Sequence, residues 1–208
     1  MKIEMANLER PELHELIGSS ISPLPIALIS TIGEDGVYNA APYSLVIPVC
    51  WKPPILCVSF GLKRGQKKDT LRNLEFSGDF VVNIMGETFI KPTILSSANY
   101  PSSVDEIEKV GLTAIAADKV KSPRIVEAQI SLECQLVQKL GLGEGDNLRD
   151  IIFGEVVLGH VKDGLCVDGR IEPSRLRAVG RLGSKSYCRT GDIMEGALPA
   201  VGTGQENP

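Results

Sequence analysis

The sequence offers little with which to build a metal or disulfide framework. Its five cysteines are spread along the chain, and no two of them form a Cys-x-x-Cys pair. An odd number of widely separated cysteines favours neither a disulfide framework nor a zinc site. Only His14 and His160 remain to complete a metal shell. We therefore expect no metal site, and unpaired thiols are typical of the reducing cytoplasm.

The sequence also lacks the long apolar and long basic segments of membrane and nucleic-acid-binding proteins. Its most apolar stretch, SLVIPVCWKPPILCVSF, is interrupted by Lys52 and three prolines, which excludes a helix that crosses a bilayer. The first residues do not have the apolar core of a signal peptide. The formal net charge is -4, with no basic stripe that could neutralise many phosphates. We expect a cytoplasmic protein that binds neither membrane nor nucleic acid.

The 208 residues suffice for one domain with appended segments, and 43% of them are hydrophobic, as in an ordinary globular protein. Residues 1–22 are predicted to be an N-terminal extension with a short helix that begins at Pro11. Residues 23–195 are predicted to form a single mainly β domain. Residues 196–208 are rich in glycine, proline and small polar residues, which favours a flexible C-terminal tail.

Extended segments dominate the central domain. GEDG supplies a turn between two extended runs, which is a hairpin pattern. Further strands are predicted for PPILCVSFG, DFVVNIM, AQISLECQLVQKL and DIIFGEVVLGHV. A few short helices interrupt them without regular strand–helix alternation. This pattern predicts an antiparallel β-barrel with helical decoration, in the mainly β or α+β class, rather than a doubly wound sheet.

A basic segment, KRGQKKDTLRNLEFSG, lies between two of the predicted strands. Its leucines have helical spacing, with Asp69 or Thr70 as the expected N-cap and Gly78 as the expected end. Two interpretations remain open from this pattern alone. Asp69 caps the helix beside a solvated loop, or the basic residues and the free N–H groups of the helix start hold a small anion. The basic residues concerned are Lys63, Arg64, Lys67 and Lys68.

The common nucleotide-binding fingerprints are not present. Gly61 and Gly65 are too close together for a phosphate-binding Walker loop, and no Ser or Thr follows a Gly-Lys pair. The segment GLGEGD has glycines at the wrong spacing for a dinucleotide-binding turn, and no helical pattern follows it.

Several segments together resemble the flavin reductase-like, FMN-binding split-barrel family, which includes the flavoredoxins. These segments occur in the expected order over residues 23–195, and they include NAAPYS, KDTLRNL, SPRIVEAQISLECQL, GEVVLGH and VGRLGSKSYCRTGDI. The resemblance implies an antiparallel split barrel that binds FMN. Leu24 departs from the pattern, because many relatives have a basic residue there.

The resemblance also implies a set of flavin-binding residues. The segment NAAPYS is expected to follow the isoalloxazine ring and the ribityl chain, mainly through backbone groups. A strand end and the start of the basic helix are expected to hold the phosphate, which favours the anion interpretation of the basic segment. The implied cofactor-binding residues are Asn39, Ala41, Pro42, Tyr43, Ser44, Ser59, Lys68, Asp69, Thr70 and Leu71.

His160 matches a histidine that is common in the family. It is expected either to approach the flavin or nicotinamide as a catalytic group, or to be a structural residue of its strand. Trp51 is expected to contact the flavin or a second subunit. The resemblance implies a homodimer. We expect NADH or NADPH to reduce FMN and a second acceptor to take the electrons, and a partner protein could be the electron donor or the acceptor. The alternative is a non-enzymatic, flavoredoxin-like carrier of FMN or electrons.

Overall fold

The computed structural model of the chain describes residues 1–63, 65–194 and 196. Short helices and mostly antiparallel strands make up this part of the chain. The helices are α1 (Arg10–Ser20), α2 (Asp69–Ser77), α3 (Ile90–Leu95), α4 (Glu106–Lys109) and α5 (Pro173–Leu176). The strands are β1 (Leu24–Pro25), β2 (Ala27–Ile32), β3 (Tyr38–Tyr43), β4 (Val46–Trp51), β5 (Pro54–Gly61), β6 (Asp79–Ile84), β7 (Ala114–Ile115), β8 (Arg124–Ile125), β9 (Ile130–Leu142), β10 (Arg149–Val161), β11 (Cys166–Val167), β12 (Arg170–Ile171), β13 (Val179–Leu182) and β14 (Ser186–Arg189).

Seven strands form the main sheet, in the order β3-β2-β6-β9-β10-β5-β4. All of its neighbouring pairs are antiparallel, and β3 and β4 are its two edges. Side chains from all seven of these strands and from α2 meet in one apolar core, which includes Ile29, Phe60, Leu74, Phe80 and Ile152. The sheet must therefore curve around this core, and the predicted antiparallel barrel is confirmed.

Alternation along β5 explains how a polar side chain reaches the outside of the barrel. Leu56, Val58 and Phe60 are buried in the core, whereas Cys57 and Ser59 are only partly buried. Successive side chains of a strand point to opposite faces, so Ser59 lies on the outer face. Its neighbour on β10 in the sheet register is Ile151.

The predicted hairpin and helix around the basic segment are also present. Gly33 and Gly36 close the turn between β2 and β3, where Gly36 has a φ of +80°, a conformation that glycine adopts without strain. Helix α2 ends at Gly78, whose N–H donates to the carbonyl of Leu74, as predicted. The expected cap is wrong, because Lys68 is the N-cap and Asp69 is the first helical residue.

A second, smaller layer lies beside the barrel. Strand β13 pairs with β14 and with β1, which places Arg181 opposite Leu24. The sequence patterns did not predict this sheet. Helix α1 precedes it and confirms the predicted N-terminal helix, which has Pro11 in its first turn and is longer than expected.

A second apolar cluster packs behind β2 and β3. Ile107 of α4 is fully buried there with Leu28 and Ala40, and α4 is thereby fixed against the barrel. Within the described residues, no helix is long and apolar enough to cross a membrane. The predicted tail, apart from Gly196, lies outside the described residues, so the structure does not bear on it.

Candidate functional site

Three adjoining cavities form a groove along β3, and Pro42 and Lys68 border all three. We name two of the cavities after a neighbouring residue or helix, and we call the first the anion lobe because of its basic side chains. The anion lobe has a volume of about 430 Å³ and extends between α1 and the outer face of β5. The Glu106 lobe has a volume of about 160 Å³ and lies beside the start of α2. The α3 lobe has a volume of about 300 Å³ and lies between α3 and β13.

Basic, hydroxyl and apolar side chains line the anion lobe. Among the described residues that line it, none is an aspartate or a glutamate. Opposite charges are thus not available within the lobe to neutralise its cations, and a phosphate or carboxylate could bind there with several donors. The polar side chains of this lobe are Arg10, His14, Ser44, Ser59, Lys68, Arg149 and Arg181.

Lys68 lies at the centre of the groove. Its Nζ is 5.2 Å from the centroid of the Tyr43 ring, a distance at which the cation is attracted to the ring face. Burial lowers the pKa of Lys68, and the nearby charges of Arg149 and Lys63 lower it further. An anion bound beside Lys68 would relieve this repulsion between like charges.

Arg149 and Arg181 reach the anion lobe from different strands. The guanidinium group of Arg149 lies against the backbone of Gly61, where any β-carbon would overlap it. Arg181 donates hydrogen bonds to the carbonyls of Gly183 and Ser184 and to Ser44 Oγ, at 2.9 to 3.2 Å. These acceptors are neutral, so they orient the guanidinium group without neutralising its charge. Sequence reasoning missed both arginines.

The predicted residues of β3, and Ser44 directly after it, line different lobes of the groove. Pro42, Tyr43 and Ser44 border the anion and α3 lobes, whereas Asn39 and Ala41 border the Glu106 lobe. Burial raises the pKa of Tyr43, whose hydroxyl group lies inside the protein. The structure therefore brings every residue of the NAAPYS segment to the groove except Ala40, which is buried behind the strand.

The predicted residues of α2 have other partners for their side chains. Thr70 is 1% exposed, and its Oγ1 donates to Asn39 Oδ1 at 2.8 Å. Asp69 forms an ion pair with Arg72, and Leu71 is buried in the core. The structure does not place these three side chains in the anion lobe. Because no side chain caps α2, the first N–H groups of this helix remain available to a ligand.

The basic segment is not uniform. Lys67 pairs with Glu75 at 2.8 Å on the surface, whereas Lys68 and Lys63 line the groove. Arg64 lies outside the described residues. The solvated interpretation thus applies to Lys67, which forms a solvent-exposed ion pair, whereas Lys68 lines the groove and its contact with an anion stays a prediction.

A buried carboxyl group, that of Glu106, lines the lobe of the groove that carries its name. Glu106 is 5% exposed, and its Oε2 accepts hydrogen bonds from Asn39 Nδ2 at 2.5 Å and from the Ala40 N–H at 3.0 Å. Burial raises the pKa of Glu106 to about 7. Sequence reasoning missed this residue, because its segment contains several other acidic residues and no distinguishing pattern.

His160 does not line any of the three lobes. Its Nε2 is 2.6 Å from Glu133 Oε1 and 3.4 Å from Asp118 Oδ2. Glu133 is fully buried and also accepts the backbone N–H groups of Asp118 and Lys119. The geometry favours the structural interpretation of His160, as a residue that anchors the loop at Asp118 to β9 and β10. We do not include it in the candidate site.

The ligand atoms of Asp118, Glu133 and His160 lie within 4.8 Å of one another, a spacing that a metal ion could use. The guanidinium group of Arg124 is 3.8 Å from the same Glu133 oxygen. The positive charge of Arg124 and the two backbone donors already compensate the charge of the Glu133 carboxylate.

Comparison with known proteins agrees with this fold. Residues 19–170 match the model of the flavin reductase like domain. The chain belongs to this family. One solved relative is nitrilotriacetate monooxygenase component B from Bacillus cereus, with 34% identity and a TM-score of 0.90 over 94% of this chain and 98% of that one.

Two further solved structures are similar to this chain. The 2-nitrobenzoate 2-nitroreductase of Pseudomonas fluorescens is 30% identical, with a TM-score of 0.86 over 97% of this chain and 98% of that one. A protein with a split barrel domain from Shewanella frigidimarina is 22% identical, with a TM-score of 0.84 over 96% of this chain and 100% of that one. The latter shows the fold alone, and the predicted split barrel is confirmed.

Proposed function

We propose that this protein is an FMN-binding oxidoreductase in which NADH or NADPH reduces the flavin and a second acceptor receives the electrons. The observation that supports this proposal most strongly is the anion lobe. Lys68, Arg149 and Ser59 line it and could donate to a phosphate group, and none of its described lining residues is an aspartate or a glutamate.

The residues present fit the phosphate end of FMN. A phosphate dianion binds well where charged donors and free helix N–H groups are already in place. Lys68 contributes to both features, because it is a cation and also the N-cap of α2. Gly61 leaves space for the guanidinium group of Arg149 beside the strand. These residues would hold the phosphate, and the remaining groove along Pro42 and Ser44 would hold the rest of the molecule.

The flavin, when bound, supplies the two-electron chemistry, and the protein supplies position and charge. Neither a protein nucleophile nor a catalytic acid–base pair is needed for hydride transfer between cofactors. Lys68 and Arg181 place positive charge beside the Pro42–Ser44 backbone, where it would stabilise negative charge that develops on a bound ring system.

A homodimer is the proposed assembly. Edge strand β4 exposes alternate apolar side chains, among which Ile47 and Val49 are about half exposed and Trp51 is 82% exposed. Leu45 continues this row and also lines the anion lobe. An exposed apolar edge strand next to a ligand groove is typical of an interface between subunits. The proposed dimer would cover this edge and enclose the groove.

Two solution experiments test these proposals. We expect added FMN to lose fluorescence on binding, and the complex to oxidise NADH or NADPH, followed by the fall in nicotinamide absorbance. Bound FMN without nicotinamide oxidation would favour the carrier alternative, and no binding at all would refute the proposal. Sedimentation should give a dimer for the native chain and a monomer for I47E/V49E, with the exposed α3 variant L95E as control.

A further inference from the structure

Glu106 is a buried carboxyl group that the proposed function does not yet use. Both hydrogen bonds that its side chain makes among the described residues go to Oε2, from Asn39 Nδ2 and from the Ala40 N–H. Oε1 has no hydrogen-bond partner among those residues, and Glu106 lines the lobe that carries its name. One oxygen of the carboxyl group therefore holds β3, and the other is available to the groove.

The hydrogen bonds of Glu106 continue to the start of α2. Asn39 Oδ1 accepts the hydroxyl proton of Thr70 at 2.8 Å, and Thr70 follows Lys68 and Asp69 in the first turn of that helix. A single buried network thus connects α4, β3 and α2. Both the NAAPYS segment and the helix start that would face a phosphate belong to this network.

Charged groups face Glu106 from each neighbouring element. Asp69 of α2 and Asp105, which precedes α4, both raise the pKa of Glu106. Lys63, in the loop between β5 and α2, lowers it. Burial has the largest effect and raises the pKa to about 7, against which the Ala40 N–H acts in the opposite direction. Lys68 lines the same lobe. Near neutral pH the carboxyl group is therefore divided between its protonated and ionised forms.

We propose that Glu106 is a positioning residue that couples the uptake of a proton to the binding of the flavin phosphate, an inference that rests on the proposed function. An ionised Glu106 and a bound dianion would lie in adjoining lobes that share Lys68, and the two negative charges would repel each other. The protonated carboxyl group removes this repulsion. Its Oε2 still accepts the two hydrogen bonds that hold β3, and its protonated Oε1 can donate a hydrogen bond to a ligand in the groove.

The dissociation constant of FMN, measured by fluorescence quenching between pH 6.5 and 8.5, tests this coupling. We expect FMN to bind the native protein about sixfold more weakly at the upper pH, which is the change that a rise of about one unit from a pKa of about 7 produces over this pH range. E106Q has the shape and hydrogen bonds of the protonated form, so it should bind about equally well at both pH values. The exposed variant E108Q on the same helix should behave like the native protein.

The ratio of the dissociation constants of the native protein and E106Q is the decisive quantity, because the ionisation of the phosphate itself cancels in it. A ratio that does not change with pH would overturn the inference while leaving FMN binding intact. Absence of FMN binding by both proteins would remove the proposed function, and this inference with it.

A spectroscopic titration gives a second readout that does not depend on activity. The pKa of Glu106, followed through the ¹³C shift of its carboxyl carbon, should rise when FMN is added. A pKa that is equal with and without FMN would contradict the coupling. E106A leaves Asn39 Nδ2 and the Ala40 N–H without an acceptor, so it should bind FMN more weakly at every pH.

Discussion

Arg149 occupies the position at which a side chain on Gly61 would begin. The two residues are direct neighbours in the register between β10 and β5, and the guanidinium group lies over the glycine backbone. The absence of a side chain at Gly61 is therefore what allows Arg149 to reach the anion lobe from the start of its strand. Gly61 does not have a positive φ, so its role is to leave space and not to form a turn.

Replacement of Gly61 by alanine should displace Arg149 and weaken FMN binding about tenfold or more, the usual loss for a charge-assisted hydrogen bond. The dissociation constant of FMN, measured by fluorescence quenching, checks this prediction. G141A is a matched control, because a β-carbon at Gly141 makes only an ordinary contact with Leu148 in the same part of the sheet. Unchanged FMN affinity in G61A would show that Arg149 does not contact the ligand.

Lys68 and Lys67 give a matched pair for testing the phosphate site. K68A should weaken the binding of FMN by roughly ten- to a hundredfold and leave riboflavin, which has no phosphate, almost unaffected. K67A should bind both ligands normally, because Lys67 is engaged with Glu75 on the surface, where ion pairs contribute little. Equal losses of FMN and riboflavin in K68A would indicate a general disturbance of the groove and not a phosphate contact.

His160 should contribute to stability and not to flavin chemistry. H160A removes a hydrogen bond from the fully buried Glu133, which should lower the free energy of unfolding by about 1 to 3 kcal/mol. Urea denaturation measures this loss, and FMN affinity and nicotinamide oxidation should stay close to the native values. A large loss of nicotinamide oxidation at unchanged stability would restore the catalytic role that the sequence resemblance implies.

Local patterns were sufficient to predict the elements that build the groove. The GEDG turn, the NAAPYS strand and the helix that ends at Gly78 depend on the preferences of neighbouring residues, and all three are present. The N-cap was assigned to Asp69 or Thr70 from cap preferences, but the side chain of Asp69 bonds to Arg72 and that of Thr70 to Asn39. The first partner is local, three residues away in the same helix, whereas Asn39 is a tertiary partner with no local signal.

The residues of the candidate site that the sequence did not predict come from distant parts of the chain. Arg149 depends on the pairing of β10 with β5, and Arg181 depends on the pairing of β13 with β1. Glu106 is set apart from the acidic residues around it only by its burial against Asn39 and Ala40. For His160 the resemblance to the family singled out the residue itself. It did not predict that Glu133, 27 residues away in the chain, is its partner.

The raised pKa of Glu106 has a consequence for stability that is independent of any ligand. Because the folded state holds this proton more tightly than the unfolded state, the contribution of Glu106 to the free energy of unfolding falls as pH rises from about 4.5 to about 7, and is constant above that range. E106Q cannot lose this proton. Relative to the native protein it should therefore gain stability between pH 4.5 and pH 8, by at most about 3 kcal/mol. Urea denaturation of the native protein, E106Q and the exposed control E108Q at both pH values measures the difference. If the native protein and E106Q have parallel pH profiles, Glu106 ionises at an ordinary pKa, and the carboxyl group is then charged in the groove throughout the physiological range.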